Sequence, residues 1–137
     1  MIITFCGQKG GTGKTTLSFL VAETLSRAGK KVAIRDDDPQ ASITQIVTEL
    51  REGGRTELEI WDQSRAGDYD FVVVDTLPRL SSNVLKEAVK EADRLVLPLK
   101  PSMVDIRATM PAVEMVKEHT RAGARAYVLW NMVKPGT

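Results

Sequence analysis

Apolar positions along the chain fall into two rhythms. Short continuous runs of branched or aromatic residues alternate with longer segments in which apolar residues recur every three or four positions. These are the patterns of buried strands and of amphipathic helices. Residues 2–6 predict a first strand. Residues 15–28 predict a helix with Leu17, Leu20, Val21 and Leu25 on one face and Gly29 as its stop. A second strand is expected at 31–35, and a short helix at 42–50 carrying Ile43, Ile46, Val47 and Leu50. Residues 53–67 are polar and irregular, with a brief ordered piece expected around 58–61. The third strand, 71–74, is continuously apolar, as a strand buried on both faces should be. A helix at 82–92, a fourth strand at 95–99, a helix at 104–119 bent by Pro111 and a fifth strand at 126–130 complete the pattern. There is no internal repeat and no low-complexity stretch.

Strand-helix alternation implies right-handed crossovers and a parallel sheet with helices on both faces, an α/β three-layer fold. The chain of 137 residues fits one domain, residues 1–137. No helix is predicted after the fifth strand, so cover for its far side is expected from further chain or from a partner. A hydrophobic share of 42% is ordinary for a domain with a real core. Nineteen basic residues against eighteen acidic ones leave a net charge of +1, which gives no whole-chain basic footprint for DNA. The single cysteine, Cys6, excludes an intrachain disulfide framework and a cysteine-rich metal site. The N-terminal apolar run is too short for a signal peptide, and no stretch approaches a membrane-spanning length. A cytoplasmic protein with no membrane partner is the expectation.

The most informative segment is Gly7-Gln8-Lys9-Gly10-Gly11-Thr12-Gly13-Lys14-Thr15-Thr16. It follows a predicted strand and opens a predicted helix, the context a phosphate-binding loop requires. Gly10, Gly11, Thr12 and Gly13 would turn main-chain N–H groups toward a phosphate, aided by the helix N-terminus. Lys14 would lie between the β- and γ-phosphates, Thr15 would hold Mg²⁺ through its hydroxyl, and Thr16 would bond the α-phosphate. Gln8 stands where the usual motif has its first glycine. A flexible glycine linker is the bland alternative, and it does not account for the Lys-Thr-Thr and amphipathic helix that follow.

Lys9-Gly-Gly-Thr-Gly-Lys14-Thr15 resembles the deviant Walker A motif of the ParA/MinD family. The resemblance implies that Lys9 reaches across an ATP-bound homodimer to the partner's phosphate, adding positive charge where negative charge develops. Arg35-Asp36-Asp37-Asp38-Pro39-Gln40 resembles the Asp-x-Asp-Pro-Gln signature of the ParA branch. It implies Asp36 near the metal and Asp38 orienting the attacking water, with Asp37 exposed. Arg35 departs from the family's aliphatic residue and is expected to face a solvent gap or to pair with an aspartate. Three adjacent carboxylates repel, so counter-charge is expected nearby. The apolar strand ending at Asp75 has the Walker B form, with the aspartate on Mg²⁺ directly or through water. Leu77 and Arg79 depart from the family's proline and glycine in the next loop. Pro98-Leu99-Lys100-Pro101-Ser102 and Asp105 resemble a further family segment, in which the prolines end the fourth strand. A plain strand-ending turn fits these residues nearly as well. Asn131 matches the family's adenine-reading asparagine, since an amide can serve both N6 and N7. His119 is expected to cap a helix end, and Trp61 either packs or contacts a partner.

The reading that results is a P-loop NTPase domain of strand order 2-3-1-4-5. It binds Mg-ATP, hydrolyses it to ADP and phosphate, and dimerises with ATP, serving plasmid or chromosome partition with a ParB-like centromere-binding adaptor. The family's C-terminal third has no counterpart in the sequence, which leaves nonspecific DNA binding, and with it nucleoid association, without support. Positioning of another cargo, an ATP-dependent synthetase or kinase, and a nucleotide-binding regulatory module without catalysis remain as alternatives. A MinD-like membrane helix is missing, and an iron-protein-like reductase would need more cysteines than Cys6.

Overall fold

The computed structural model describes residues 1–7, 13–77, 79 and 82–131. In chain order the elements are β1 (Ile2–Phe5), α1 (Lys14–Arg27), β2 (Val32–Asp36), α2 (Ser42–Glu52), β3 (Glu59–Ile60), β4 (Phe71–Asp75), α3 (Asn83–Glu91), β5 (Arg94–Leu99), α4 (Met103–His119) and β6 (Arg125–Trp130). Short 3₁₀ turns fill Gln63–Asp68. All six strands form one parallel sheet in the order β3-β2-β4-β1-β5-β6. The five predicted strands keep their predicted order. The difference is β3, a two-residue edge strand beside β2, within the stretch where a brief ordered piece was expected.

Alternation along the strands divides the core. Phe5, Val32, Ile34 and Val73 pack with Ala22 of α1 and with Ile43 and Val47 of α2. On the other face, Leu95 and Leu97 pack with Leu85 and Val89 of α3 and with Ala112, Met115 and Val116 of α4. Ala33, Val72 and Val74 meet Ala88 and Tyr69 on that same side. The result is the three-layer arrangement. Trp61 packs here, its ring 5.8 Å from that of Tyr69.

Several expectations need correction. Leu20 does not join the core but is 51% exposed. The inward stripe of α1 is Lys14, Ser18 and Ala22, one residue every fourth position, and Leu20 lies two residues from it on the opposite side. Ile46 is also exposed, at the flank of the α2 stripe in which Ile43 and Val47 face in. Pro98 does not end its strand. Pairing of β5 with β1 stops at Val96, whereas pairing with β6 continues to Leu99. The missing N–H of Pro98 therefore falls where β1 has already left the sheet. As expected for 104–119, α4 is a single helix that includes Pro111. Ser102 caps it: its hydroxyl accepts from the Asp105 N–H at 3.1 Å and donates to the Asp105 carboxylate at 2.5 Å. His119 closes the helix, with Nδ1 3.0 Å from the Met115 carbonyl.

Candidate functional site

The parallel sheet brings the carboxyl ends of β1, β4 and β2 side by side, where open α/β sheets place their ligands. Phe5 is in register with Asp75, and Asp75 with Asp36. The helix that follows β1 starts over this edge. Gly13 caps it at φ 84°, a conformation costly for any residue with a Cβ, and its carbonyl accepts from Leu17 N–H at 2.8 Å. The first helical residues then point at β4. Lys14 Nζ donates to Asp75 Oδ1 at 2.5 Å and also to the Thr76 carbonyl oxygen. Thr15 Oγ1 donates to Asp75 Oδ2 at 2.8 Å. The Lys14 and Asp75 side chains are 9% and 2% exposed, so the pair lies within the protein at the start of α1. Thr16 is exposed at the start of the helix. Lys9, Gly10, Gly11 and Thr12 lie outside the described residues.

The acidic turn after β2 is held by its own hydrogen bonds. Asp36 Oδ1 accepts from Asp38 N–H at 3.0 Å. Its Oδ2 accepts from both the N–H and the hydroxyl of Thr44 at 3.1 Å, on the first turn of α2. Asp38 Oδ1 accepts from Gln40 N–H at 2.9 Å, and its carbonyl from Ala41 N–H at 2.9 Å. Ala41 completes the turn in the left-handed region at φ 52°. Asp38 faces a cleft of about 400 Å³ that it lines with Pro39, Gln40, Leu77 and Arg79.

Asp37, expected to be exposed, is instead 14% exposed and paired with Arg35. Burial pushes its carboxyl above the ordinary value, and Arg35 pulls it back only in part. Burial works against the charge on Arg35 as well, yet Glu91 and Asp37 together hold its pKa above normal. Of the two expectations for Arg35, pairing is the one observed. Asn131 follows β6 at the same end of the sheet, its N–H donating to the Leu99 carbonyl at 2.8 Å. Thr76 was not singled out from the sequence. It is fully buried and donates its hydroxyl to the Phe5 carbonyl at 2.7 Å, fastening β4 to β1 directly beside Lys14. Its only sequence signal is its place immediately after Asp75. Cys6, also at this end, has its thiol pushed up to about 12 by burial, against the smaller opposing influence of Lys14.

The donor set suits Mg²⁺. Thr15 and Asp75 offer hard oxygens 2.8 Å apart. Mg²⁺ is commonly held by one or two protein oxygens and otherwise by water and phosphate. Among the described residues no group of three or more His, Cys, Asp or Glu side chains converges, so a dedicated all-protein cage is not present there. No helix among them is long and apolar enough to cross a membrane.

Residues 3–137 match the family described as the CobQ/CobB/MinD/ParA nucleotide binding domain. A maintenance of carboxysome distribution protein A from Halothiobacillus neapolitanus is 27% identical over 93% of this chain and 64% of its own length. A ParA protein from Rhizobium radiobacter is 26% identical over 98% of this chain and 65% of its own. The chain thus spans just under two thirds of the length of these relatives. Among solved structures, a plasmid partition protein from Borrelia burgdorferi superposes with a TM-score of 0.81 at 20% identity, covering 99% of this chain and 81% of that one. The cobyrinic acid a,c-diamide synthase of Mycobacterium smegmatis, solved with ADP and magnesium, gives 0.76 at 20%, covering 99% and 76%. At these identities the structures attest the fold. The family match covers nearly the whole chain: the chain belongs to the CobQ/CobB/MinD/ParA nucleotide-binding family.

Proposed function

We propose that this chain binds Mg-ATP across residues 9–16 and hydrolyses it to ADP and phosphate within an ATP-dependent homodimer that segregates plasmid or chromosomal DNA. The observation that carries the reading is the convergence of Lys14 and Thr15 on Asp75 at the carboxyl ends of β1 and β4. Lys14 supplies a nearly buried cation for the β- and γ-phosphates. Asp75 also bonds that cation, so a triphosphate would have to share Lys14 with it. Thr15 and Asp75, with Asp36 beside them, would hold Mg²⁺, which neutralises charge on the phosphate oxygens. Gly10, Gly11, Thr12, Gly13 and Thr16 hydrogen-bond the phosphates. Asp38 orients the attacking water from the cleft it shares with Leu77 and Arg79. Lys9 acts across the dimer on the partner's phosphate, and Asn131 reads the adenine.

In this reading the protein is cytoplasmic and a ParB-like adaptor stimulates hydrolysis. A second reading keeps the same engine and changes the cargo. It is favoured by the relatives named for carboxysome distribution, which match about as well as those named for partition. Phosphate release, together with sizing in ATP, ADP and neither, tests the proposal. Turnover lost in Lys9→Ala and Asp38→Ala, and a dimer only with ATP, are the expected results. Saturable nucleotide binding with no turnover would point instead to a regulatory nucleotide-binding module. Stimulation by DNA and a DNA-binding adaptor separates the two cargoes.

A further inference from the structure

Arg35 sits on β2, 19% exposed, with its guanidinium between carboxylates from two separate parts of the fold. Nη1 donates to Glu91 Oε2 at 2.8 Å, at the last residue of α3. Nη2 donates to Asp37 Oδ2 at 3.3 Å, and Nε lies 3.2 Å from Asp37 Oδ1. Asp37 is the middle residue of the acidic turn. Its main-chain N–H donates to the Asp75 carbonyl at 2.9 Å. The turn is therefore fixed on three sides: by Asp36 on Thr44, by the Asp37 main chain on β4, and by the Asp37 side chain on Arg35.

We propose that Arg35 is a positioning residue: through Asp37, with support from Glu91, it sets where Asp36 and Asp38 stand relative to Asp75. The inference rests on the hydrolytic reading of the site for its effect on rate. Glu91 makes the shorter bond but is half-exposed and so screened by solvent, whereas Asp37 is more buried; both contacts hold the guanidinium. The guanidinium bonds Asp37 through Nη2 and Glu91 through Nη1, while Nε makes no hydrogen bond among the described residues; a planar group held at two such points fixes orientation as well as distance, which an ammonium cannot do. Displacing a water-orienting carboxylate by about 1 Å can cost on the order of a hundredfold in rate.

The test is a double-mutant cycle with R35M, D37N and R35M/D37N, plus R35K, each checked for folding by thermal melt. R35M is expected to lower kcat for ATP on the order of tenfold while KM changes much less. D37N is expected to do the same. The double variant should be no slower than the slower single, because both remove one contact. R35K should recover only part of the loss. Amide exchange at Asp37 and Asp38, measured without nucleotide, should quicken roughly tenfold in R35M. Wild-type exchange rates in a folded R35M, or kcat losses that multiply in the double variant, overturn the inference. Quickened exchange in R35M together with no ATP turnover in the wild-type chain keeps Arg35 in its positioning role and contradicts the hydrolytic reading instead.

Discussion

At the scale of single residues the account rests on Lys14 and on two left-handed positions. Lys14→Ala removes the phosphate-facing cation and strands a buried carboxylate on Asp75. Turnover should fall by at least about a hundredfold, because charge-stabilising groups in dry sites carry that much. The folded state should lose about 3 kcal/mol in urea denaturation, the cost of leaving one member of a buried pair alone. Loss of turnover with unchanged stability would mean that the Lys14–Asp75 contact contributes nothing to the resting fold. Gly13 and Ala41 make an opposed pair, both with positive φ at the start of a helix. Gly13→Ala should cost about 1–2 kcal/mol, the penalty for a Cβ in that region. Ala41→Gly should cost nothing, although Ala to Gly near a helix ordinarily destabilises, because it releases the same penalty. Chemical denaturation of the two variants side by side checks both signs.

At the scale of elements, β1 is followed directly by a pH-sensitive residue, Cys6. The Cys6 thiol is ordinarily half-ionised at 9.0 but is held neutral to about 12 by burial against the core of α3, α4 and β5. The folded state keeps its proton where the unfolded chain has lost one. The contribution is fully present below pH 9 and is lost as pH rises toward 12. Stability should therefore fall across that window, and fall less steeply in Cys6→Ala. A thiol reagent at pH 8 should label the denatured chain but not the native one. The element order was legible in the sequence because buried strands and amphipathic helices each leave a period in the apolar positions. The junction that carries Gly13 and Lys14 was legible as a strand-to-helix connection because its glycines stand between two such elements. The inward face of α1 was legible in part: Leu17, Val21 and Leu25 pack against the core, but Lys14 and Ser18 are polar, so a hydrophobic pattern misses them and adds Leu20. Arg35 and Glu91 are 56 positions apart, and only the completed sheet and α3 bring them together. The burial of Asp37 follows from its pairing with Arg35, which the sequence offers only as one of two options beside a solvent gap. Pro98 looked like a strand end because the sequence does not reveal where the neighbouring strand stops pairing.

At the scale of the whole molecule, the described residues leave one side of the sheet uncovered. Every residue of β6 is exposed, and Tyr127, Val128, Leu129 and Trp130 present apolar surface on an edge strand. Such an edge templates association with another chain. Light scattering should show self-association that grows with concentration, and Tyr127→Lys should reduce it while changing stability by no more than about 0.5 kcal/mol. Equal scattering from both proteins would place the association elsewhere. The central claim concerns the opposite feature, the polar junction where α1, β1 and β4 meet. Calorimetric titration of the purified chain with a non-hydrolysable Mg-ATP analogue tests it without requiring cargo, adaptor or turnover. The account predicts saturable binding of one nucleotide per chain, weakened when magnesium is withheld and abolished in Lys14→Ala. A folded wild-type chain that takes up no nucleotide, or a Lys14→Ala variant that binds as tightly as wild type, would contradict it.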